Sequence, residues 1–260
     1  MITVFVEERQ QRIIERLRDQ GKVTVEELMA DFGVSAPTVR ADLAALEGRR
    51  LLRRTHGGAL PPATSLYEPT YTERAGSQLG EKRRIGEAAA RLVQPGETVI
   101  LDAGTTVHEV GVALIARGLS GITVVTNNLP TATLLMEAPG IDVLVIGGQA
   151  QVHRRATLGP LAAEFLQRIR ADRVFLGANG IDAVAGLTVV DFDAASVKRA
   201  MIAHAAEVVV VADSSKIGQT AFAHVAPVSV ASQLITDMAF ISDPVEATLR
   251  EAGIDSIQRV

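Results

Sequence analysis

Ile13, Ile14 and Leu17 recur at helical spacing within EERQQRIIERLRDQG, and Gly21 follows where a helix-ending glycine is expected, so the pattern predicts a first helix over 7–20. Thr24 stands three residues before Glu27, the spacing at which a hydroxyl accepts from a backbone N–H while the carboxylate reaches back to the cap. A second short helix through Leu28, Met29 and Phe32 is predicted, ended by Gly33. Ser35 then reopens a helix as N-cap, Pro37 falls in the first turn where its missing N–H costs little, and Val39, Leu43 and Leu46 form one apolar stripe. Two helices across a short turn make a helix-turn-helix, and the third helix, over 35–47, has a length of about 20 Å, enough to lie in a major groove. Leu51 to Leu60 reads as a strand, a glycine turn and a return strand, a β-wing carrying Arg53, Arg54 and His56.

The pattern changes at Pro61. PPATSLYEPTYTERAGSQLG, over 61–80, is rich in Pro, Ser, Thr and Gly with no apolar period, and is expected to be a linker. Beyond it, helical stretches alternate with short apolar runs: helices over 81–93, 106–117, 129–137, 159–169, 192–206 and 244–252, and strands over 98–102, 122–126, 142–147, 173–177, 207–212 and 233–236. Unbroken apolar strands such as Val208 to Val211 imply a mainly parallel sheet with helices on both faces. The expected architecture is α/β, with a winged helix-turn-helix over 1–60, a linker over 61–80 and an α/β domain over 81–260.

A length of 260 residues suits one small and one medium domain. With 47% hydrophobic and 22% charged residues the chain belongs with ordinary globular proteins. The absence of cysteine excludes disulfides, thiolate metal sites and cysteine nucleophiles. The start, MITVFVEERQQRII, lacks the basic and apolar regions of a signal peptide, and no apolar run approaches the ~18 residues of a membrane span; a cytoplasmic protein with no membrane partner is expected. His56, His108, His153, His204 and His224 fall in no metal-ligand spacing, and neither metal nor cofactor is expected.

Charge is unevenly spread. Net charge is −4, yet the first sixty residues hold ten Lys/Arg against nine Asp/Glu, and Arg40, Arg49, Arg50, Arg53 and Arg54 crowd the third helix and wing. Ser35, Ala36, Thr38 and Arg40 occupy the N-terminal half of that helix, the end that meets base edges, and a wing suits the phosphate backbone. Thr24 joins these as a DNA-contact candidate, beside Arg53, Arg54 and His56. The competing reading of this segment is a three-helix module that docks protein. A nonspecific architectural DNA-binding protein is disfavoured by the net negative charge, because counterion release supplies the affinity of such proteins.

The run VTVEELMADFGVSAPTVRADLAALEGRRLLRRTHGGAL resembles the DNA-binding signature of the DeoR family of bacterial regulators, with its valine-serine entry to the recognition helix, its Arg-Asp-Leu and its His-Gly-Gly-Ala wing. Where many members carry two adjacent arginines before the aspartate, this chain has Arg40-Ala41-Asp42. The second half is similar to that family's C-terminal sensor, through Arg74, LDAGTT over 101–106, VTNN over 125–128, the glycine pair at 147–148, GANGID over 177–182, VKRAMI over 197–202 and ADSSK over 212–216. The resemblance implies a sensor similar in fold to ribose-5-phosphate isomerases and CoA transferases.

In open parallel sheets, ligands sit outside the carboxyl ends of the strands. The loops there carry Asp102, Gly104, Thr105 and Thr106; Thr126, Asn127 and Asn128; Asn179, Gly180 and Asp182; and Lys216. Glycine, hydroxyl and amide groups at a helix N-terminus offer free N–H donors and a positive dipole end to a phosphate. Each motif alone is equally well a turn or a helix cap, and it is their convergence on one edge that points to an effector site. Among these loops Lys216 brings the cation. The expected partners are double-stranded operator DNA and a phosphorylated sugar, with the chain assembled as a homodimer or homotetramer. The alternative function is a sugar-phosphate isomerase-like enzyme, with Asp102 or Asp182 as base and Lys216 stabilising the enediolate oxygen.

Overall fold

A computed structural model describes residues 6–20, 22–49, 51–55, 57–60, 70–238 and 243–260. The chain divides into two compact units, Met1–Glu73 and Arg74–Val260.

The first unit has helices Val6–Gln20, Val25–Phe32 and Ala36–Gly48, with a three-stranded antiparallel sheet of Val23–Thr24, Gly58–Leu60 and Arg53–Thr55 in that order. Its small core gathers the expected stripes, Ile13 and Leu17, Leu28, then Val39, Leu43 and Leu46, closed by Leu52 and Ala59 from the wing. Thr24 and Glu27 make the reciprocal capping box, and Gly33 ends the second helix in the left-handed region at φ 63°. Gly58 is required sterically, since a Cβ there would lie 1.9 Å from the Val23 carbonyl oxygen, inside the strand pair that anchors the wing.

The third helix opens at Ser35 as expected, without the usual cap bond. Ser35 occupies the N-cap position but makes no side-chain bond to the helix backbone. Its hydroxyl lies 2.9 Å from that of Thr38 instead. Pro37 removes one of the two amides that an N-cap side chain reaches, and the Thr38 hydroxyl competes with the other.

In the second unit seven parallel strands form one sheet, in the order Ser256–Arg259, Gln233–Thr236, Ala205–Val211, Ala171–Leu176, Thr98–Leu101, Ile122–Thr126, Ile141–Val145. Both faces are covered, and the strands show it residue by residue. Val99, Leu101, Val124, Phe175, Val209, Val211 and Ile235 pack on the face of helices Leu79–Ala90, Thr105–Ala116 and Leu129–Met136. Ile100, Val125, Val174, Leu176, Val208, Val210 and Leu234 pack on the face of helices Pro160–Leu166, Phe192–Ala203 and Asp243–Glu251. Period-2 alternation between two apolar faces is what makes these runs read as continuously hydrophobic.

The linker expectation over 61–80 is corrected in part: Tyr71–Gly76 is helical and the next helix begins at Leu79, while 61–69 lie outside the described residues. The sequence reading also missed the antiparallel hairpin of Gln149–Gln151 and Ala156–Leu158, a small sheet of Gly180–Asp182, Gly186–Val189 and Ala223–Ala226, and the edge strand Ser256–Arg259. No helix among the described residues is long and apolar enough to cross a membrane.

Candidate functional site

The recognition helix Ala36–Gly48 is bolted to the first helix by a charge. Asp42 is buried and accepts from Arg9 Nε at 2.5 Å and from Gln10 Nε2 at 3.3 Å. With Asp42 turned inward beside Val39, Leu43 and Leu46, Arg40 faces solvent on the opposite side, near exposed Ser35 and half-buried Ala36 and Thr38. All three residues of the wing strand Arg53–Thr55 are exposed. Arg54 is not wholly available to a phosphate, because Glu47 accepts from its backbone N–H at 2.8 Å and from its Nε at 2.7 Å. Those bonds hold the Glu47 carboxyl below its ordinary pKa, the backbone bond contributing most. Thr24 is engaged in its capping box. His56 and Arg50 lie outside the described residues.

In the second unit, strand order reverses at Thr98–Leu101. The next two strands in sequence lie to one side of it, and Ala171–Leu176, Ala205–Val211, Gln233–Thr236 and Ser256–Arg259 lie to the other. The crevice at such a switch point, beyond the carboxyl ends, is where open sheets bind ligands. Asp102 sits in it, almost fully buried; its Oδ2 accepts from the Gly177 amide at 3.0 Å and from Lys198, whose ammonium also donates to the Gly177 carbonyl at 2.9 Å. Thr105 and Thr106 open helix Thr105–Ala116, where the first helical bond is His108 N–H to the Gly104 carbonyl. The amides of residues 105–107 precede that bond, the position in a helix at which backbone N–H groups lack an intrahelical acceptor.

Several expected contacts hold this edge together. Thr126 donates to the Leu101 carbonyl and accepts from the Asn128 amide. Asn128 caps helix Leu129–Met136 and donates to the Gly104 carbonyl at 3.1 Å. Asn127, fully buried, ties its Nδ2 to the Thr157 carbonyl, while its Oδ1 has no hydrogen-bond partner among the described residues. Asp182 accepts from the amides of Val184 and Ala185 and so closes the hairpin turn. A Cβ on Gly180 would lie 2.3 Å from the Gln219 carbonyl oxygen, so this glycine allows two backbones to meet. Asn179 is half-buried beside it.

Lys216, half-buried in the turn Ser214–Lys216, is not the only cation at this edge. Lys82, 4% exposed, projects from helix Leu79–Ala90 and donates to the carbonyls of Arg74 and Ser77, each at 2.5 Å. Burial pulls its pKa down to about 8, the attraction of Asp213 opposes that, and the positive charges of Lys216 and Arg74 reinforce it. Arg74, Lys82 and Lys216 therefore bring three positive charges together, with Asp213 and Glu109 as the nearby negative ones. Lys216 is the cation expected from the loops, and helix Leu79–Ala90 adds Lys82, which the loop-based expectation did not include. Lys82 and Lys198 carried a readable signal: Lys82 keeps helical register with Ile85, Gly86 and Ala89, and Lys198 with Ala194, Ala195 and Met201, so each is a lysine on a buried stripe.

Two family models match this chain in order, the DeoR-like helix-turn-helix domain over residues 9–64 and the DeoR C terminal sensor domain over 77–238. The chain is 36% identical over 252 residues to the putative aga operon transcriptional repressor of Escherichia coli O157:H7, covering 96% of this chain and 93% of that protein. It is 34% identical over 230 residues to the glycerol-3-phosphate regulon repressor of Escherichia coli K12, covering 88% and 90%. It is 34% identical over 236 residues to the transcriptional repressor GlcR of Bacillus subtilis, covering 90% and 89%. Among solved structures, ribose 5-phosphate isomerase A from Neisseria gonorrhoeae aligns with a TM-score of 0.39 at 18% identity, over 58% of this chain and 56% of that one. With both models matched and full-length relatives above 30% identity, this chain belongs to the DeoR family of regulators.

Proposed function

We propose that the protein is a transcriptional repressor of a sugar-metabolism operon, which binds operator DNA through its first unit and a phosphorylated sugar at the carboxyl edge of its sheet. The observation that carries the sensing half is the meeting of Arg74, Lys82 and Lys216 beside two carboxylates, Asp213 and Glu109. A dianion leaving water needs several donors and a compensating cation, and a buried lysine with a depressed pKa is a cation short of counter-charge. Lys82 and Lys216 take the phosphate together with the amides at Thr105 and Thr106, while Asn127 and Asn179 read hydroxyls, the unpartnered Oδ1 of Asn127 accepting one. Asp102 orients this edge through Lys198 and Gly177 rather than acting on substrate.

That commitment argues against the isomerase alternative. A base must be free to take a proton, yet Asp102 is buried against an ammonium and Asp182 accepts two turn amides. The protein acts without a cofactor, as a homodimer or homotetramer, because one recognition helix covers only a few base pairs and operators gain length through two-fold symmetry. On the DNA side, Arg40 reads a base, and Arg53 and His56 meet the backbone. Replacing Arg40 with Ala is expected to weaken specific binding by about 1–3 kcal/mol, while Arg53→Ala weakens all sequences alike and flattens the salt slope. Fluorescence anisotropy on operator and scrambled duplexes at two salt concentrations checks this; unchanged operator affinity in both variants contradicts the assignment.

A further inference from the structure

The end of the sheet at edge strand Ile141–Val145 is poorly covered. Helix Leu129–Met136 and the hairpin of Gln149–Gln151 and Ala156–Leu158 flank an open groove of about 710 Å³, whose walls include Leu129, Pro130, Leu134 and Val152. Val152, at the hairpin tip, is 89% exposed, and Met136 at the helix end is 64% exposed. Between these elements in sequence, Leu144 and Val145 are 40% and 41% exposed at the carboxyl end of the edge strand. Among the described residues that strand pairs only with Ile122–Thr126, so its outer row of backbone groups has no partner strand. Natural edges are usually guarded by charge or covered; this one presents apolar side chains, and its charged residue, Asp142, lies near the other end.

We infer that this groove is the face through which two copies of the chain pair about a two-fold axis, each Val152 entering the groove of the other. The face carries both a knob and a hole on neighbouring elements, which is the self-complementarity an isologous interface requires. Its charges are arranged for the same operation. Glu137 closes the helix wall and Arg155 stands on the hairpin wall, both exposed and both lining the groove. A two-fold axis between the walls sets Glu137 of one copy against Arg155 of the other, twice. A small molecule suits the groove less well, since such ligands are held where most of their surface is enclosed. The pairing rests on the reading of the chain as a two-fold operator binder, but it is measured without DNA or effector, so the two fail separately.

The test is sedimentation of the full chain at micromolar concentration. Wild type is expected to self-associate, and Val152→Asp to weaken association about tenfold or more with unchanged far-ultraviolet circular dichroism, because the side chain is solvent-facing in the single copy. Glu137→Arg and Arg155→Glu are each expected to weaken association, and the double variant to restore it. A monomeric wild type, an unaffected Val152→Asp, or a double variant no better than the single ones overturns the proposed face. Persistent association of Val152→Asp together with normal operator binding overturns the face while leaving the operator reading intact.

Discussion

Lys82 holds an ammonium group where burial disfavours charge, and two neighbouring cations add to the strain while Asp213 only partly offsets it. A bound phosphate would reverse that balance, so effector binding and protonation of Lys82 are linked. The amine is protonated below about 8 and neutral above it. Effector affinity is therefore expected to be flat up to that point and then to fall as pH rises, by up to about tenfold per unit, with protons taken up on binding. Calorimetry with a phosphorylated sugar between pH 7 and 9 measures this directly. Lys82→Met should bind weakly and without that pH dependence, and Lys82→Arg should keep the charge but lose the dependence; a wild-type affinity that is flat across the range contradicts the linkage. The residue itself was legible before the structure, as a charge in register with an apolar stripe, and so were Lys198 and Asp42. What was not legible was the partner of each, because Arg9, Asp102 and the carbonyls of Arg74 and Ser77 are brought near by tertiary folding rather than by sequence spacing.

The recognition helix owes its orientation to an internal ion pair more than to its caps. Asp42 and Arg9 are both buried, and the Ser35 hydroxyl makes no bond to the helix backbone. Removing one member of a buried pair leaves the other charge uncompensated, at a cost of roughly 3–5 kcal/mol. Asp42→Ala is thus expected to melt the DNA-binding unit at a lower temperature while the second unit unfolds as before. The double change Arg9→Met with Asp42→Leu should recover most of the loss, because no unpaired charge remains. Thermal unfolding followed by calorimetry separates the two transitions, and an Asp42→Ala variant with wild-type melting contradicts this account. The sheet strands were legible as elements because their two-faced burial makes long apolar runs. The hairpin and small sheet were not: Gln149–Gln151, Gly180–Asp182 and Ala223–Ala226 are three or four residues each and built partly from Gly and Ala, which have little β preference of their own. Their pairing depends on distant partners, as where Thr188 meets His224.

Across the whole molecule, two binding events must share one free-energy cycle. An effector changes operator affinity only by as much as it prefers one arrangement of the chain over another, typically about 1–3 kcal/mol, and operator DNA must then change effector affinity by the same factor. Lys216 belongs to the cationic cluster in the second unit, whereas the DNA-contact candidates Arg40 and Arg53 belong to the first. Lys216→Ala is accordingly expected to leave effector-free operator affinity within about twofold of wild type while removing the effector's influence on it. In wild type, the factor measured by anisotropy of operator binding with and without effector should equal the factor measured by calorimetry of effector binding with and without operator. Saturating effector should also stabilise wild type by about 2.7 kcal/mol at 100 times its Kd, an increment the variant lacks. A Lys216→Ala protein that binds effector as tightly as wild type places the phosphate elsewhere. A factor of one in both titrations of wild type would mean that the two ligands do not act on a common equilibrium, and the chain would then bind both without being switched by either.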